Sequence, residues 1–79
     1  MDWKKIALPS GAKLFKMHHF TFVHKGSNYS LEIDEYLDGL YAGYGEHTTD
    51  KNFYVESVSG KTFNECLDSL VKKIVGREG

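Results

Sequence analysis

At 79 residues the chain is long enough for one domain and too short for two of ordinary size. Its 41% hydrophobic and 27% charged content excludes a disordered chain, and a formal net charge of −1 excludes the basic excess behind broad, non-specific nucleic-acid binding. One cysteine, Cys66, excludes an intrachain disulfide, and the lack of an apolar run of signal-peptide or membrane-spanning length adds to the expectation of a cytoplasmic protein.

Residues 1–12 carry a short strand or one helical turn in DWKKIAL, ended by Pro9, Ser10 and Gly11. From Lys13 to His24 the chain has strand character, clearest in HFTFVH, and KGSN follows as a turn. YSLEIDEY alternates apolar and polar residues as a half-buried strand does. LDGL is a hairpin signal, because Asp-Gly suits a type I′ turn. LYAGYGEH reads as a third strand weakened by Gly43 and Gly45, TTDKN as a loop and FYVESV as a fourth strand. The helix is the best-marked element. Thr62 and Glu65 form a capping box, and Phe63, Cys66, Leu67, Leu70, Val71 and Ile74 recur on one face. Lys72 and Lys73 suit its last turn, and Gly76 is placed as a C-cap. The prediction is an α+β domain over 1–79: a three- to four-stranded antiparallel sheet at approximately 13–58, packed on one face by a single C-terminal helix at approximately 62–75.

Hairpin registers assign the faces. With Gly26-Ser27 as a two-residue loop, Phe22 lies opposite Leu31 and Phe20 opposite Ile33. With Asp38-Gly39 as the next loop, Ile33 meets Tyr44 and Glu35 meets Ala42. The helix-facing core is then Phe20, Phe22, Leu31, Ile33, Leu37, Leu40, Ala42 and Tyr44. The open face carries His19, Thr21, Glu32, Asp34, Tyr36, Tyr41, Gly43, Gly45 and His47.

His18, His19 and His24 fall within one strand and suggest a metal or catalytic cluster. His18 and His24 share a face but stand roughly 20 Å apart at about 3.3 Å per residue, and His19 points the other way. No two of them can chelate one ion. Neighbouring strands offer His19 beside Asp34 and His47 beside Ser30, fewer ligands than the three a catalytic zinc site takes. Cys66 sits on the apolar stripe of the helix and reads as a core residue rather than a nucleophile. GYGEH lacks the third glycine and following helix of a dinucleotide site, and its glycines permit a bulge or a close backbone approach. Glu32, Asp34, Glu35 and Asp38 make an acidic, tyrosine-bearing patch of the kind that steers basic partners.

DEYLDGLYAGYG and VSGKTFNECLDSLVKKI resemble the N-terminal domain of HicB-type antitoxins. Such domains have a DG-Y-A strand and a G-(D/K)-T-x-x-E-(A/C)-L helix start on a small three-stranded sheet. Asp38, Gly39, Tyr41 and Ala42 match the first piece, and Gly60, Thr62, Glu65, Cys66 and Leu67 the second. Where those domains have a Pro-and-Gly turn, this chain has EHTTDKNFYVES. The resemblance implies the fold first and an antitoxin-like partner role second. In size, acidity and layout the chain is also similar in kind to phage-encoded inhibitors such as anti-CRISPR proteins. A double-stranded-RNA-binding domain has a similar sheet, but its N-terminal helix and KKxxK helix start are missing here.

These readings converge on a non-catalytic protein-binding module with no cofactor or metal. Its contacts would be Glu32, Asp34, Tyr36, Tyr41, His19 and His47, and its partner a protein with a basic surface. The chain would be a monomer, or a dimer through an edge strand. Two alternatives use other residues: a small hydrolase or nuclease built on His19, His47 and nearby carboxylates, or a nucleic-acid binder using Lys13, Lys16, Lys25 and Lys51.

Overall fold

The computed structural model describes residues 2–78, the side chains of residues 57–60 excepted. A 3-10 turn at Trp3–Lys5 is followed by β1 (Phe15–His24), β2 (Ser27–Tyr36), β3 (Tyr41–His47), β4 (Tyr54–Gly60) and α1 (Phe63–Arg77). The strands form one antiparallel sheet in chain order, and α1 packs on one face of it. This is the expected α+β two-layer fold. Among the described residues no helix is long and apolar enough to cross a membrane.

The helical reading of the N-terminal segment holds for one turn, capped by Asp2, whose Oδ1 accepts from the Lys4 N–H at 3.0 Å. Gly11, at φ +81°, then sits third in a turn closed by the Ala12 N–H donating to the Pro9 carbonyl at 3.1 Å. That is a type II turn, which needs glycine at this position.

The first hairpin turns one residue earlier than its sequence suggested. Lys25 and Gly26 both have positive φ, 51° and 79°, so the loop is type I′ rather than a Gly26-Ser27 turn. His24 pairs with Ser27, Phe22 with Tyr29, Phe20 with Leu31 and His18 with Ile33. Every partner differs by two residues from the expected register. A two-residue displacement leaves each side chain on its expected face.

The second hairpin differs in kind. The Gly39 N–H donates to the Tyr36 carbonyl at 3.1 Å, and the Tyr36 N–H donates to the Leu40 carbonyl at 3.0 Å. Gly39 is at φ +87° while Asp38 stays at negative φ, its Oδ1 accepting from the Leu40 N–H at 3.0 Å. The loop is therefore three residues long, a type I turn closed by a left-handed glycine. The extra residue slips β3 by one: Ile33 meets Gly43 and Glu35 meets Tyr41, not Tyr44 and Ala42. A one-residue slip turns a strand over. Tyr41, Gly43, Gly45 and His47 face the helix; Ala42, Tyr44 and Glu46 face the open side.

The core consists of Tyr29, Leu31 and Ile33 from β2, Val55 from β4 and Cys66, Leu70 and Ile74 from α1. Phe22, Tyr41, Phe53, Phe63, Leu67 and Val71 pack around it. All six residues expected on the helix's inner face are in these two sets, Cys66 among the buried ones. Of the expected sheet core, Leu31 and Ile33 are buried, Phe22 and Leu37 half-buried, and Ala42 and Tyr44 lie on the other face. Phe20 and Leu40 are exposed, because α1 lies over β3 and β4 and reaches only part of β2. Gly45 makes that seat possible. A Cβ there would stand 3.1 Å from Ile74 Cδ1, 3.2 Å from Leu31 Cδ2 and 3.3 Å from Val55 Cγ2. The glycine pair of β3 also adjoins a bulge: from Tyr41 to Gly43, β4 runs from Gly60 to Ser57.

At the helix start Thr62 Oγ1 accepts from the Glu65 N–H at 3.1 Å, as a capping box requires. The end differs from expectation. Gly76 lies within the helix, which continues to Arg77 with Glu78 as its cap. Glu78 is held from outside: its carboxylate accepts from the Tyr29 hydroxyl and lies 2.6 Å from His24 Nδ1. These two ties hold the last turn against the first hairpin, so the chain does not leave the helix at the glycine.

One substitution separates this β3 register from the expected one, and a second tests the continuation of α1 through Gly76. Gly45→Val should destabilise the fold by about 1–3 kcal/mol through overpacking against Ile74, Leu31 and Val55. On an open face it would be tolerated or beneficial. Gly76→Ala, whose Cβ meets nothing within 4 Å, should stabilise by about 0.5–1 kcal/mol. Urea denaturation of both variants measures the two signs.

Candidate binding site on the open sheet face

Alternation places His19 and Met17 of β1, Ser30, Glu32, Asp34 and Tyr36 of β2, Ala42, Tyr44 and Glu46 of β3, and Tyr54 and Glu56 of β4 on the open side. A cavity of about 490 Å³ opens here, lined by His19, Ser30, Glu32, Asp34, Tyr44, Gly45, Glu46 and Tyr54. Four of its lining groups are carboxylates or a histidine standing among them, and no lysine or arginine lines it.

Asp34 is the centre of the site. It is 5% exposed on the face without the helix, and its Oδ1 is buried with no hydrogen-bond partner. Its strand partners are Met17 on one side and Ala42 on the other, neither of which can donate a side-chain hydrogen bond. Burial pushes its carboxyl up to about 6, helped by a hydrogen bond with Glu32 and that group's charge and opposed by His19. Burial also raises the Tyr44 hydroxyl, assisted by Tyr36, and the Tyr54 hydroxyl, assisted by Glu56, whose Oε1 accepts from it at 3.3 Å.

Of the six contact residues expected from sequence, four share this face: His19, Glu32 and Asp34 line the cavity, and Tyr36 hydrogen-bonds Tyr44 beside it. Tyr41 and His47 do not, because the slip of β3 turns them to the helix side. Tyr41 meets the Phe63 ring edge-on at 5.9 Å and has Lys4 Nζ 5.9 Å from its centroid. His47 Nδ1 accepts from the N–H groups of Thr49 and Asp50 at 3.1 and 3.0 Å, which orders the β3–β4 loop, and its ring meets Tyr29 edge-on. The expected pairs change too: His19 stands opposite Glu32 rather than Asp34, and Ser30 opposite Glu46 rather than His47. A catalytic set using both His19 and His47 is therefore split between two faces.

Sequence reasoning missed Ser30, Tyr44, Glu46, Tyr54 and Glu56. The missing signal was in the hairpin: Asp-Gly also suits a three-residue loop with Gly left-handed, and that register places Tyr44 and Glu46 beside Glu32. The other histidines are tied to carboxylates on the helix side. His18 Nε2 lies 2.9 Å and Lys4 Nζ 2.8 Å from Glu35, and these two contacts hold that carboxyl below its ordinary range, Lys4 most. The Tyr29 hydroxyl, then His24, do the same for Glu78. The four lysines of the nucleic-acid alternative form no single patch. Lys16 pairs with Glu35 near one end of the sheet, and Lys25 lies nine residues along at the hairpin tip, about 30 Å away.

Among the described residues no group of three or more His, Cys, Asp or Glu is placed to hold a metal ion. No known protein family, curated protein or solved structure matches the chain.

Asp34 should weaken the fold at neutral pH. Its folded value, about 6, lies above the ordinary 3.8, so the folded chain holds the proton more tightly than the unfolded one. The resulting penalty is full above pH 6 and fades as pH falls toward 4. Asp34→Asn should therefore stabilise the fold by about 1–2 kcal/mol near pH 7.5, with the gain shrinking toward pH 4. Denaturant titrations of both proteins across this range give the slope and its sign.

Proposed function

We propose that this chain is a non-catalytic, cytoplasmic protein-binding module that occupies a partner's surface as an inhibitor, in the manner of an antitoxin or a phage anti-defence protein. Its open sheet face makes the contact, and the acidic cavity takes a basic side chain of the partner, arginine best. The buried Oδ1 of Asp34 carries this reading. A desolvated carboxyl oxygen with nothing to accept from is unfavourable in the free protein, and an incoming cationic donor relieves it. Guanidinium fits this site better than ammonium. It offers several N–H donors in a plane, enough for Asp34 and Glu32 together, and stacks on aromatic faces such as those of Tyr44 and Tyr54.

A carboxyl pair with one member near 6 also suits acid–base chemistry. The hydrolase alternative, however, relied on His47 as well as His19, and His47 orders a loop on the other face. Binding through the cavity uses only groups that stand together.

The probe is an acetylated, amidated arginine and a triarginine peptide, titrated into the protein and followed by NMR. Shifts should centre on Glu32, Asp34, Tyr44 and Tyr54, and the matching lysine compounds should bind more weakly. Asp34→Asn should cost about tenfold or more in affinity, the size expected for a charge-assisted bond. Binding should also fall as pH drops through about 6, where Asp34 takes up its proton. Equal binding by wild type and Asp34→Asn, or shifts spread over the whole acidic surface, would refute the cavity as the contact.

A further inference from the structure

The two edges of the sheet are finished differently. On β4, the outward carbonyls of Tyr54 and Glu56 accept from Arg77 at 2.6 Å and Lys73 Nζ at 2.8 Å. Two cations of α1 thus cap that edge. β1 is the other edge, ten residues long, with Lys16 as its one permanently charged side chain. Long, weakly charged edges of this kind pair with further strands.

The direction of its backbone groups follows from the ladder. The Asn28 carbonyl accepts from the Thr48 N–H, and the Tyr36 N–H donates to the Leu40 carbonyl. Even-numbered residues of β2 therefore bond toward β3 and odd-numbered ones toward β1. Odd β2 residues face even β1 residues. The N–H and C=O groups of Phe15, Met17, His19, Thr21 and Val23 consequently point outward along the free edge.

Exposed apolar side chains accompany them. Phe15 is 40%, Met17 46% and Val23 62% exposed on the open face, and Phe20 is 39% exposed on the helix face. Two copies related by a twofold axis perpendicular to the sheet can pair β1 with β1 only in registers that place a residue opposite itself. Centred on Phe20, the pairing sets Phe20 against Phe20, Met17 against Val23, His18 against Phe22 and His19 against Thr21. Phe20 then occupies a non-hydrogen-bonded position, where side chains approach most closely. Centring on His19 instead sets His19 against itself and Lys16 against Phe22. Centring on Thr21 sets Val23 against His19 and leaves Met17 opposite the hairpin turn. Of the four exposed apolar side chains of β1, the Phe20 register gives Met17, Phe20 and Val23 an apolar partner and leaves Phe15 opposite the hairpin turn, whereas the His19 register gives an apolar partner only to Phe15 and Val23 and the Thr21 register only to Phe20.

We propose that this face is a homodimer interface: β1 pairs antiparallel with β1 of a second copy about a dyad at Phe20. The product is a continuous eight-stranded sheet with both helices on one side and both acidic cavities on the other. The capped β4 edges stop further growth. This inference rests on the edge strand and not on the cavity, so either can fail without the other.

Sedimentation of the full chain over a concentration series should show a species of twice the 9.0 kDa monomer mass. Thr21→Pro deletes an outward N–H without touching a β1–β2 bond and should leave a folded monomer, as should Val23→Lys. Phe20→Cys should form an intermolecular disulfide under mild oxidation, whereas Val23→Cys should not, since position 23 faces position 17. The native Cys66, 1% exposed, should not compete. A monomer at all concentrations, a dimer that survives both Thr21→Pro and Val23→Lys, or crosslinking at position 23 but not 20 would overturn the proposal.

Discussion

The helix can lie on the sheet only where β3 has no side chain in the way. At Gly45 a single added carbon would meet Ile74, Leu31 and Val55 at 3.1–3.3 Å, and Gly43 is buried on the same face. That condition is met or missed at the β2–β3 turn. With a three-residue loop the glycines face α1; with a two-residue loop Ala42 and Tyr44 would, and the Tyr44 ring would hold the helix away from Ile33. The carboxylate of Asp38 on the Leu40 N–H and the left-handed Gly39 therefore act at a distance. They decide the seat of an element that starts more than twenty residues later.

The same parity shapes the open face. Turning the glycines inward turns Ala42 outward beside Asp34, and a methyl group gives that carboxyl neither a donor nor much cover by water. Tyr44 and Glu46 come outward with it and become walls of the cavity. Close helix packing and an unsatisfied buried carboxyl are thus two results of one register. A substitution that restored a two-residue loop would lose both.

What could be read from the sequence follows how local each cause is. The helix start was legible because Thr62, Glu65 and the apolar stripe are neighbours along the chain. The faces of β1 and β2 were legible even though the loop was misplaced, because an error of two residues preserves alternation. The face of β3 was not, since Asp-Gly serves two loop lengths of opposite parity. The deciding information lay in Gly43 and Gly45, whose role appears only when a helix is laid over them. Gly76 misled for a similar reason. A glycine after an apolar stripe often ends a helix, but here Tyr29 and His24, far away in sequence, hold Glu78 and keep the last turn formed.

The histidines that first suggest one site instead separate the two faces by their chemistry. His18 and His24 meet Glu35 and Glu78 on the helix side, where Lys4 with His18, and Tyr29 with His24, hold both carboxyls below the ordinary 4.5. Stability from those contacts is present above that value and lost as acid protonates them. His19 stands opposite Glu32, and its charge only opposes the shift of Asp34, whose penalty grows from about pH 4 and is full above 6. The two trends oppose one another: acid relieves Asp34 and weakens the ties of Glu35 and Glu78. The proposed capture of a cation needs Asp34 ionised, above about pH 6, where its penalty is full. On that reading the incoming charge supplies what the open face lacks. A merely solvated acidic surface would show no such opposition, because its carboxylates would already be satisfied by water.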